Sequence, residues 1–154
     1  MKKRPDADQA HVWLVLVKAF HAMVRVTMAG IQESGLGDSD FRVLEVLLHK
    51  GPLPVNVIGP KVFLTPGSIS TAVDRLFSKG LVSRVEDPED RRIRLVALTE
   101  SGKALIVPIY QKHAEDIRRV FGDFTAPELR QLERLLKKAG NQADKLYASS
   151  DRQT

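Results

Sequence analysis

Residues 65–98, TPGSISTAVDRLFSKGLVSRVEDPEDRRIRLVAL, contain the pattern that decides the fold of this chain. Thr65 and Pro66 predict the start of a helix, because threonine caps helix N-termini and proline is favoured at the first helical position. We expect this helix to end at Lys79, with Gly80 closing it as a C-cap. The segment therefore begins with a helix that is clearly delimited at both ends. We expect one face of it to pack inward, through Ile69, Val73, Leu76 and Phe77.

The remainder of the segment predicts a β-hairpin. Two short stretches, residues 83–86 and 93–98, flank the turn-forming sequence Asp87-Pro88-Glu89-Asp90-Arg91. In the second stretch apolar residues stand next to one another instead of alternating with polar ones. Neither face of that strand is therefore cleanly apolar, and it is the less clearly defined of the two.

Two further helices are predicted before Thr65. The first begins at Asp38-Ser39-Asp40, which offers an N-cap, and ends at Gly51-Pro52. A short helix over residues 55–62 follows, although Gly59-Pro60 lies inside it and proline removes one backbone donor. This pair departs from a regular helix just ahead of the helix that starts at Thr65.

Long amphipathic helices are predicted at both ends of the chain. Apolar residues at helical spacing predict helices within residues 10–34 and 101–147, with a bend at Pro108 and a capping box over residues 125–128. Residues 1–9 and 148–154 are expected to be a flexible arm and tail. The predicted fold class is mainly α with a small β-hairpin.

Composition narrows the function further. The net charge of +5 suits an acidic partner such as nucleic acid, and the absence of cysteine excludes disulfides, thiol nucleophiles and cysteine-based redox sensing. We expect no apolar run near the roughly 20 residues of a membrane span. The basic start Lys2-Lys3-Arg4 leads into Pro5-Asp6 rather than a secretory core. The sequence predicts a cytoplasmic protein with no membrane association.

The order of elements over residues 38–100 is that of a winged helix-turn-helix. Such a module places its second helix in the DNA major groove and its hairpin, the wing, along the backbone or in a minor groove. Small hydroxyl residues approach phosphates and base edges closely, and arginine bonds guanine or phosphate. The predicted DNA contacts on the helix are Ser68, Ser70, Thr71 and Arg75. An ordinary amphipathic surface helix is the alternative, and the hairpin that follows favours DNA.

The hairpin interleaves four arginines with four acids, namely Arg84, Arg91, Arg92 and Arg94 with Glu86, Asp87, Glu89 and Asp90. A simple phosphate-binding patch would not carry four carboxylates. We infer that some carboxylates hold arginines in a fixed direction, as insertion of an arginine into a minor groove requires. A solvated charged turn is the alternative interpretation.

Four motifs together carry a resemblance to a known family. They are Val73-Asp74-Arg75-Leu76, Lys79-Gly80-Leu81-Val82, Asp87-Pro88-Glu89-Asp90-Arg91-Arg92 and Leu98-Thr99-Glu100-Ser101-Gly102. Residues 39–102 resemble the MarR (multiple antibiotic resistance regulator) family of transcription factors, and the six-helix layout extends the likeness over nearly the whole chain. The resemblance is specific only because the motifs occur together.

The resemblance implies roles for particular residues. It implies that Arg92 of the wing enters the minor groove and that Asp90 orients it, with Arg91 beside them. It also implies a homodimer in which the N- and C-terminal helices, residues 10–34 and 101–147, interlock with those of a second copy. The residues expected at that interface are Val12, Leu16, Phe20, Ile117, Phe121, Leu132 and Leu136.

The resemblance further implies a pocket for a small aromatic or phenolic anion between the dimerisation helices and the winged helix. His21, Arg25, Phe41 and Tyr110 are candidates to line it, although each also fits ordinary packing or surface. Family members that sense peroxides use a cysteine, which this chain lacks. The four histidines show no spacing typical of a metal site, so we expect neither a metal nor another cofactor.

These observations favour a homodimeric, ligand-responsive repressor that binds double-stranded DNA at a pseudo-palindromic operator. One rival function is a winged helix that contacts proteins without reading DNA specifically. The other is an enzyme that uses the hairpin carboxylates, but these lie on an exposed turn among arginines with no cleft to tune them. We therefore expect no catalytic residue.

Overall fold

The computed structural model describes residues 8–90 and 92–150. Within them, helices and strands follow in the order α1 (Gln9–Glu33), α2 (Asp38–Lys50), β1 (Leu53–Pro54), α3 (Val55–Lys61), α4 (Pro66–Ser78), β2 (Val82–Glu86), β3 (Arg94–Leu98), α5 (Glu100–Val120) and α6 (Ala126–Ser150). The described residues fall into two compact units that divide between Arg119 and Val120.

Helix α4 begins where its sequence predicts and ends one residue earlier than predicted, at Ser78, with Lys79 as its C-cap. The hydroxyl oxygen of Thr65 accepts a hydrogen bond from the backbone N–H of Ser68 at 3.2 Å, and Pro66 occupies the first helical position. Gly80 has a φ of 68°, the left-handed conformation that closes a helix and that glycine adopts without strain. Local chemistry therefore fixes both ends of this helix.

Helices α2 and α3 differ in detail from the prediction. The N-cap of α2 is Gly37, while Asp38 lies in the first turn and pairs with Arg42 at 2.9 Å. Pro60 lies in the last turn of α3, where the loss of one donor has a small effect. The turn still closes, because the carbonyl of Gly59 accepts hydrogen bonds from both Val62 and Leu64.

The hairpin belongs to a three-stranded antiparallel sheet in the order β1-β3-β2. β1 was not predicted, since a two-residue strand containing proline has no recognisable periodicity. β3 is the central strand, with Leu53 and Arg84 flanking Val96 on either side. Both Leu95 and Val96 are buried, so both faces of β3 are covered at this point. This explains why its apolar residues do not alternate.

All five helices from α1 to α5, together with the sheet, contribute residues to one apolar core. Its fully buried members include Ile31, Phe41, Val43, Leu44, Ile58, Val73, Leu76, Val96 and Ile106. α4 contributes Ile69, Ala72, Val73 and Leu76, which pack inward as a single stripe. Phe77 was expected on the same face but is 47% exposed, because it lies at the edge of the stripe beside β2.

The base of the hairpin is tied to the start of α5. Thr99 donates from its backbone N–H to the carbonyl of Leu81 and from its hydroxyl to the carbonyl of Gly80, at 3.1 and 2.7 Å. A Cβ atom built on Gly102 would lie 1.9 Å from the Leu81 carbonyl oxygen. Only glycine therefore allows α5 to approach the chain this closely.

Helix α1 leaves a large apolar surface uncovered. Val12, Trp13, Leu14, Val15 and Leu16 are all exposed, with Trp13 66% accessible. The expectation that no run approaches the length of a membrane span was wrong: α1 contains an 18-residue window of mean hydropathy 1.6, long and apolar enough to cross a membrane by length and composition. The helix also begins at Gln9, within the stretch expected to be a flexible arm, because Asp8 caps it.

Helix α6, in the second unit, begins at the predicted capping sequence. The Glu128 carboxylate accepts hydrogen bonds from the hydroxyl and the backbone N–H of Thr125, at 2.7 and 2.8 Å, and these bonds lower the pKa of Glu128. The helix continues to Ser150. Residues 148–150 are therefore helical, although the sequence analysis expected a flexible tail from 148, because helix-compatible residues carry the turn onward.

The close approach at Gly102 generates a prediction. Gly102→Ala should lower the free energy of unfolding by about 1–3 kcal/mol or more, since the methyl group would displace the backbone of Leu81. Gly140→Ala is the matched control, because nothing lies within 4 Å of its Cβ position in α6. Alanine should stabilise that helix by about 0.5–1 kcal/mol. Urea denaturation at one protein concentration measures both, and equal stability of the two variants would contradict the prediction.

Candidate nucleic-acid interface

The outward face of α4 is a row of short hydroxyl side chains. Ser68, Ser70 and Thr71, three of the residues predicted to contact DNA, are exposed. The hydroxyls of Ser70 and Thr71 each donate to the carbonyl four residues earlier, at 3.0 Å. A hydroxyl held in this way keeps its lone pairs and needs only a rotation to reach a phosphate or base edge. These residues are therefore available without rearrangement of the core.

A shallow concavity of about 490 Å³ lies at the N-terminus of α4. Its wall is formed by Ser39, Thr65, Gly67, Ser68, Thr71 and Arg75. Backbone N–H groups at a helix N-terminus carry partial positive charge and favour anions. Hydroxyls, amide groups and one guanidinium are the donors that proteins use against a DNA phosphate.

Arg75 has a structural partner that the sequence analysis did not identify. Its Nε lies 3.0 and 2.9 Å from the two carboxylate oxygens of Asp40, and its terminal nitrogen also donates to Ser39 at 3.2 Å. The hydrogen bond to Asp40 raises the pKa of Arg75. Arg75 thus links α4 to α2. Its guanidinium is partly exposed, so any contact with DNA would have to use N–H groups beside those that already bind Asp40.

The Asp40 carboxylate itself is buried, with 2% of its surface exposed. A signal for its role exists in the sequence: Asp40, Leu44 and Leu47 lie at spacings of four and three, on the buried stripe of α2. A carboxylate on such a stripe requires a cationic or hydrogen-bonding partner. The partner's position, 35 residues away, has no comparable signal.

The wing turn is organised by aspartates acting on the backbone. Asp87 accepts hydrogen bonds from the N–H groups of Glu89 and Asp90, at 2.8 and 3.2 Å. Asp90 accepts from the backbone N–H of Arg92 at 3.0 Å. We expected Asp90 to hold the arginine side chain, but it meets the main chain instead, because a carboxylate favours the N–H two residues ahead in a turn.

Arginines on the wing strands are paired with acids. Arg94 and Glu86 lie opposite each other on β3 and β2, with a nitrogen-to-oxygen distance of 2.9 Å. Arg84 pairs with Asp74 of α4. Arg92 is exposed at the wing tip. Arg91 lies outside the described residues. Arg92 therefore lies in the turn beyond β2 and β3, two strands that the Arg94–Glu86 and Arg84–Asp74 ion pairs hold in place.

A separate cavity of about 350 Å³ lies between α1, α2, α5 and the turn after α3. Met28, Phe41, Val46, Val62 and Phe63 supply apolar walls, and Asp38, Arg42, Glu45, Lys61 and His113 supply polar groups. The Nδ1 atom of His113 lies 2.9 Å from the Thr27 carbonyl, which only accepts. Nδ1 therefore donates this hydrogen bond, which fixes the ring of His113 against α1.

Of the four residues predicted to line an effector pocket, the structure places Phe41 in the wall of this cavity. The other three lie elsewhere. His21 and Arg25 are exposed on α1 and lie outside the part of that helix that packs against the core. Tyr110 packs edge-on against His49, with ring centroids 4.5 Å apart. His113, which sequence spacing did not single out, lines the same cavity, with its ring centroid 5.0 Å from that of Phe41.

Comparison with known proteins places this geometry in context. The MarR family model matches residues 34–93. The chain is 33% identical to the HTH-type transcriptional regulator MhqR of Bacillus subtilis over 136 residues, covering 88% of this chain and 94% of that protein.

Solved structures show the same fold. A probable transcriptional regulator from Pseudomonas aeruginosa is 28% identical and has a TM-score of 0.69, covering 86% of this chain and 97% of that one. BpsR of Bordetella bronchiseptica, whose DNA binding is regulated by 6-hydroxynicotinic acid, is 24% identical with a TM-score of 0.71, covering 91% and 98% of the two chains. The hydroxyl-bearing α4, the three-stranded wing and the match to MhqR along nearly its whole length lead to one conclusion: this chain belongs to the MarR family of DNA-binding helix-turn-helix transcriptional regulators.

Proposed function

We propose that this protein is a homodimeric repressor that binds a pseudo-palindromic operator and releases it when a small aromatic effector binds. The observation that carries the proposal is that the exposed hydroxyl face of α4 is joined, through the Arg84–Asp74 pair, to a wing with Arg92 exposed at its tip. Each copy would place α4 in a major groove and the wing tip against the adjacent minor groove. Two copies related by a twofold axis would read half-sites about 34–36 Å apart.

The exposed surface of α1 supports a homodimer. Residues 12–16 are five consecutive apolar side chains, and successive helical residues are about 100° apart, so they surround the helix. A flat contact would cover only one side. A second copy whose helices wrap around α1 would cover all of them, which is the interlocked arrangement that the family resemblance implies.

Helix α6 supplies a second apolar stripe. Leu129, Leu135, Leu136 and Leu146 are exposed on it, together with Tyr147. Leu132 and Leu136 lie four residues apart on one face. We include both in the interface, with Val12, Leu16, Phe20, Ile117 and Phe121. In this proposal a second copy, rather than lipid, covers the apolar helices, and the protein acts in the cytoplasm without contact with a membrane.

The cavity beside Phe41 is the proposed effector site. Its two cationic and two acidic residues balance in charge, and His113 adds a ring nitrogen. This set suits an aromatic ring that carries both a carboxylate or phenolate and a hydroxyl donor. Phe63 lines the cavity and has an unusual φ of 56°, two residues before the cap of α4. A ligand there would act directly on the turn that positions α4.

A regulatory role without catalysis agrees with the use of the wing carboxylates. Asp87 and Asp90 accept backbone hydrogen bonds, and Glu86 pairs with Arg94. Groups committed to turn geometry and ion pairs are poorly placed to exchange protons with a substrate. We therefore propose that the hairpin serves DNA binding alone and that no catalytic cofactor is involved.

The wing assignment predicts a loss of affinity in Arg92→Ala. An operator can be obtained by sequencing the genomic DNA fragments that the purified protein retains. The variant should bind it about 5- to 150-fold more weakly, the effect of about 1–3 kcal/mol for one arginine contact. Arg130→Ala, on the solvent face of α6, is the charge-matched control and should bind as wild type. Equal affinities of both variants in a titration at fixed salt would favour a wing used for protein contact.

The dimer assignment predicts that Leu136→Glu dissociates the protein. Each copy would lose about 1.5–3 kcal/mol of apolar burial and would bury a charge. The dimer dissociation constant should rise at least ~100-fold. Asn141→Asp adds the same charge to the polar face of α6 and should leave the dimer intact. Sedimentation equilibrium measures both, and a Leu136→Glu variant that stays dimeric at wild-type concentrations would refute the interface.

The effector site predicts a response to hydroxylated aromatic acids. Titration with 6-hydroxynicotinic acid and with hydroxybenzoates should raise the thermal midpoint and release the operator. Arg42→Gln should reduce both effects about tenfold in ligand concentration, since it removes a cation from the cavity wall. Arg119→Gln, outside the cavity, is the control. Identical responses of the two variants, or no response to any of these acids, would count against this site.

A further inference from the structure

Arg84 lies where the wing meets α4. Its guanidinium pairs with the Asp74 carboxylate and also stands over the ring of Phe77, 5.0 Å from the ring centroid. Both partners belong to α4, whereas Arg84 is the third residue of β2. One side chain therefore connects the helix and the strand through two different kinds of contact.

The two partners are otherwise hard to explain on α4. Asp74 is exposed on a helix whose face is expected to approach phosphates, where a carboxylate repels DNA. Phe77 is a large apolar residue that is 47% exposed at the edge of the buried stripe of α4. A shared contact with Arg84 accounts for both residues, since it neutralises the first and uses the ring face of the second.

These contacts add little to the free energy of unfolding; their main effect is on the position of the wing. The Arg84 and Asp74 side chains are 45% and 65% exposed, so solvent screens their attraction. The chain between α4 and β2 is short, and β2 is fixed at its base through Leu81 and Thr99. Nearer the tip, Glu86 and Arg94 brace the two strands against each other. Arg84 lies between these points and ties the middle of the wing to the helix.

We propose that Asp74, Phe77 and Arg84 form a strut that sets the angle of the wing relative to α4. The strut fixes the separation between the major-groove contacts of α4 and the contact of Arg92 at the wing tip. Arg84 is thus a positioning residue and is held away from DNA by its own partners. This inference rests on the proposed role of the wing in operator binding.

The Asp74→Asn variant distinguishes the strut from a simple charge effect, because the two predict opposite changes in operator affinity. Loss of one negative charge on the DNA-facing surface would by itself strengthen operator binding. Loss of the strut should weaken it about fivefold, since the wing contact would no longer be pre-organised. Glu89→Gln is the matched control: it removes a wing carboxylate outside the strut and should bind as wild type or more tightly. Both are measured by operator titration at fixed salt.

A second variant and a double-mutant cycle complete the test. Phe77→Leu keeps apolar bulk but removes the ring face, and it should also weaken binding while the thermal midpoint stays near that of wild type. Arg92→Ala should cost less affinity in the Asp74→Asn background than in the wild-type background, since an uncoupled wing contributes less. Operator binding by Asp74→Asn that equals or exceeds wild type, or an Arg92→Ala cost that is the same in both backgrounds, would overturn the strut. If Arg92→Ala has no effect even in the wild-type background, the proposed role of the wing fails instead.

Discussion

The ion pair between Asp40 and Arg75 is the interaction on which the DNA-binding unit depends. Asp40 is almost fully buried, so its charge is tolerated only because Arg75 contacts both carboxylate oxygens and Lys79 lies 3.8 Å away. Both cations come from the α4 segment. The pair therefore fixes the rotation and height of α4 on α2, and the apolar stripe through Val73 and Leu76 fills the space beneath.

Once α4 is fixed in this way, the rest of the interface follows from short-range contacts. The cap at Thr65 orients the first turn, and the hydroxyls of Ser70 and Thr71 face outward along it. Gly80 turns the chain into β2, and Thr99 with Gly102 holds the base of the hairpin against α5. Each step places the next one, so an error in the position of α4 would propagate to the wing tip.

The parts of this fold that could be predicted are those encoded by neighbouring residues. The cap and C-cap of α4, the hairpin turn and the capping of α6 all depend on residues within a few positions of one another. Contacts between distant residues had no such signal, and the sequence analysis missed Asp40 with Arg75 and Asp74 with Arg84. It also assigned Phe77 inward, because periodicity does not tell a stripe's centre from its edge.

The candidate effector site also depends on a contact between distant residues. Phe41 was a candidate through the family resemblance, whereas His113 reaches the cavity from α5, 72 positions later, and nothing local marks it. The apolar surfaces of α1 and α6 could be recognised as stripes. In the structure most of these apolar residues are exposed, while Ile31 at the end of α1 joins the core.

The hydroxyls on the outer face of α4 bond to carbonyls of their own helix, while the inner face and Arg75 hold the helix to the core. Substitutions on the outer face therefore leave the packing beneath it undisturbed. If this face reads the operator as proposed, a lineage that carries this scaffold can change the DNA sequence it recognises one side chain at a time while the core beneath stays packed. Duplicated copies of the gene could diverge toward new operators while they keep the same fold.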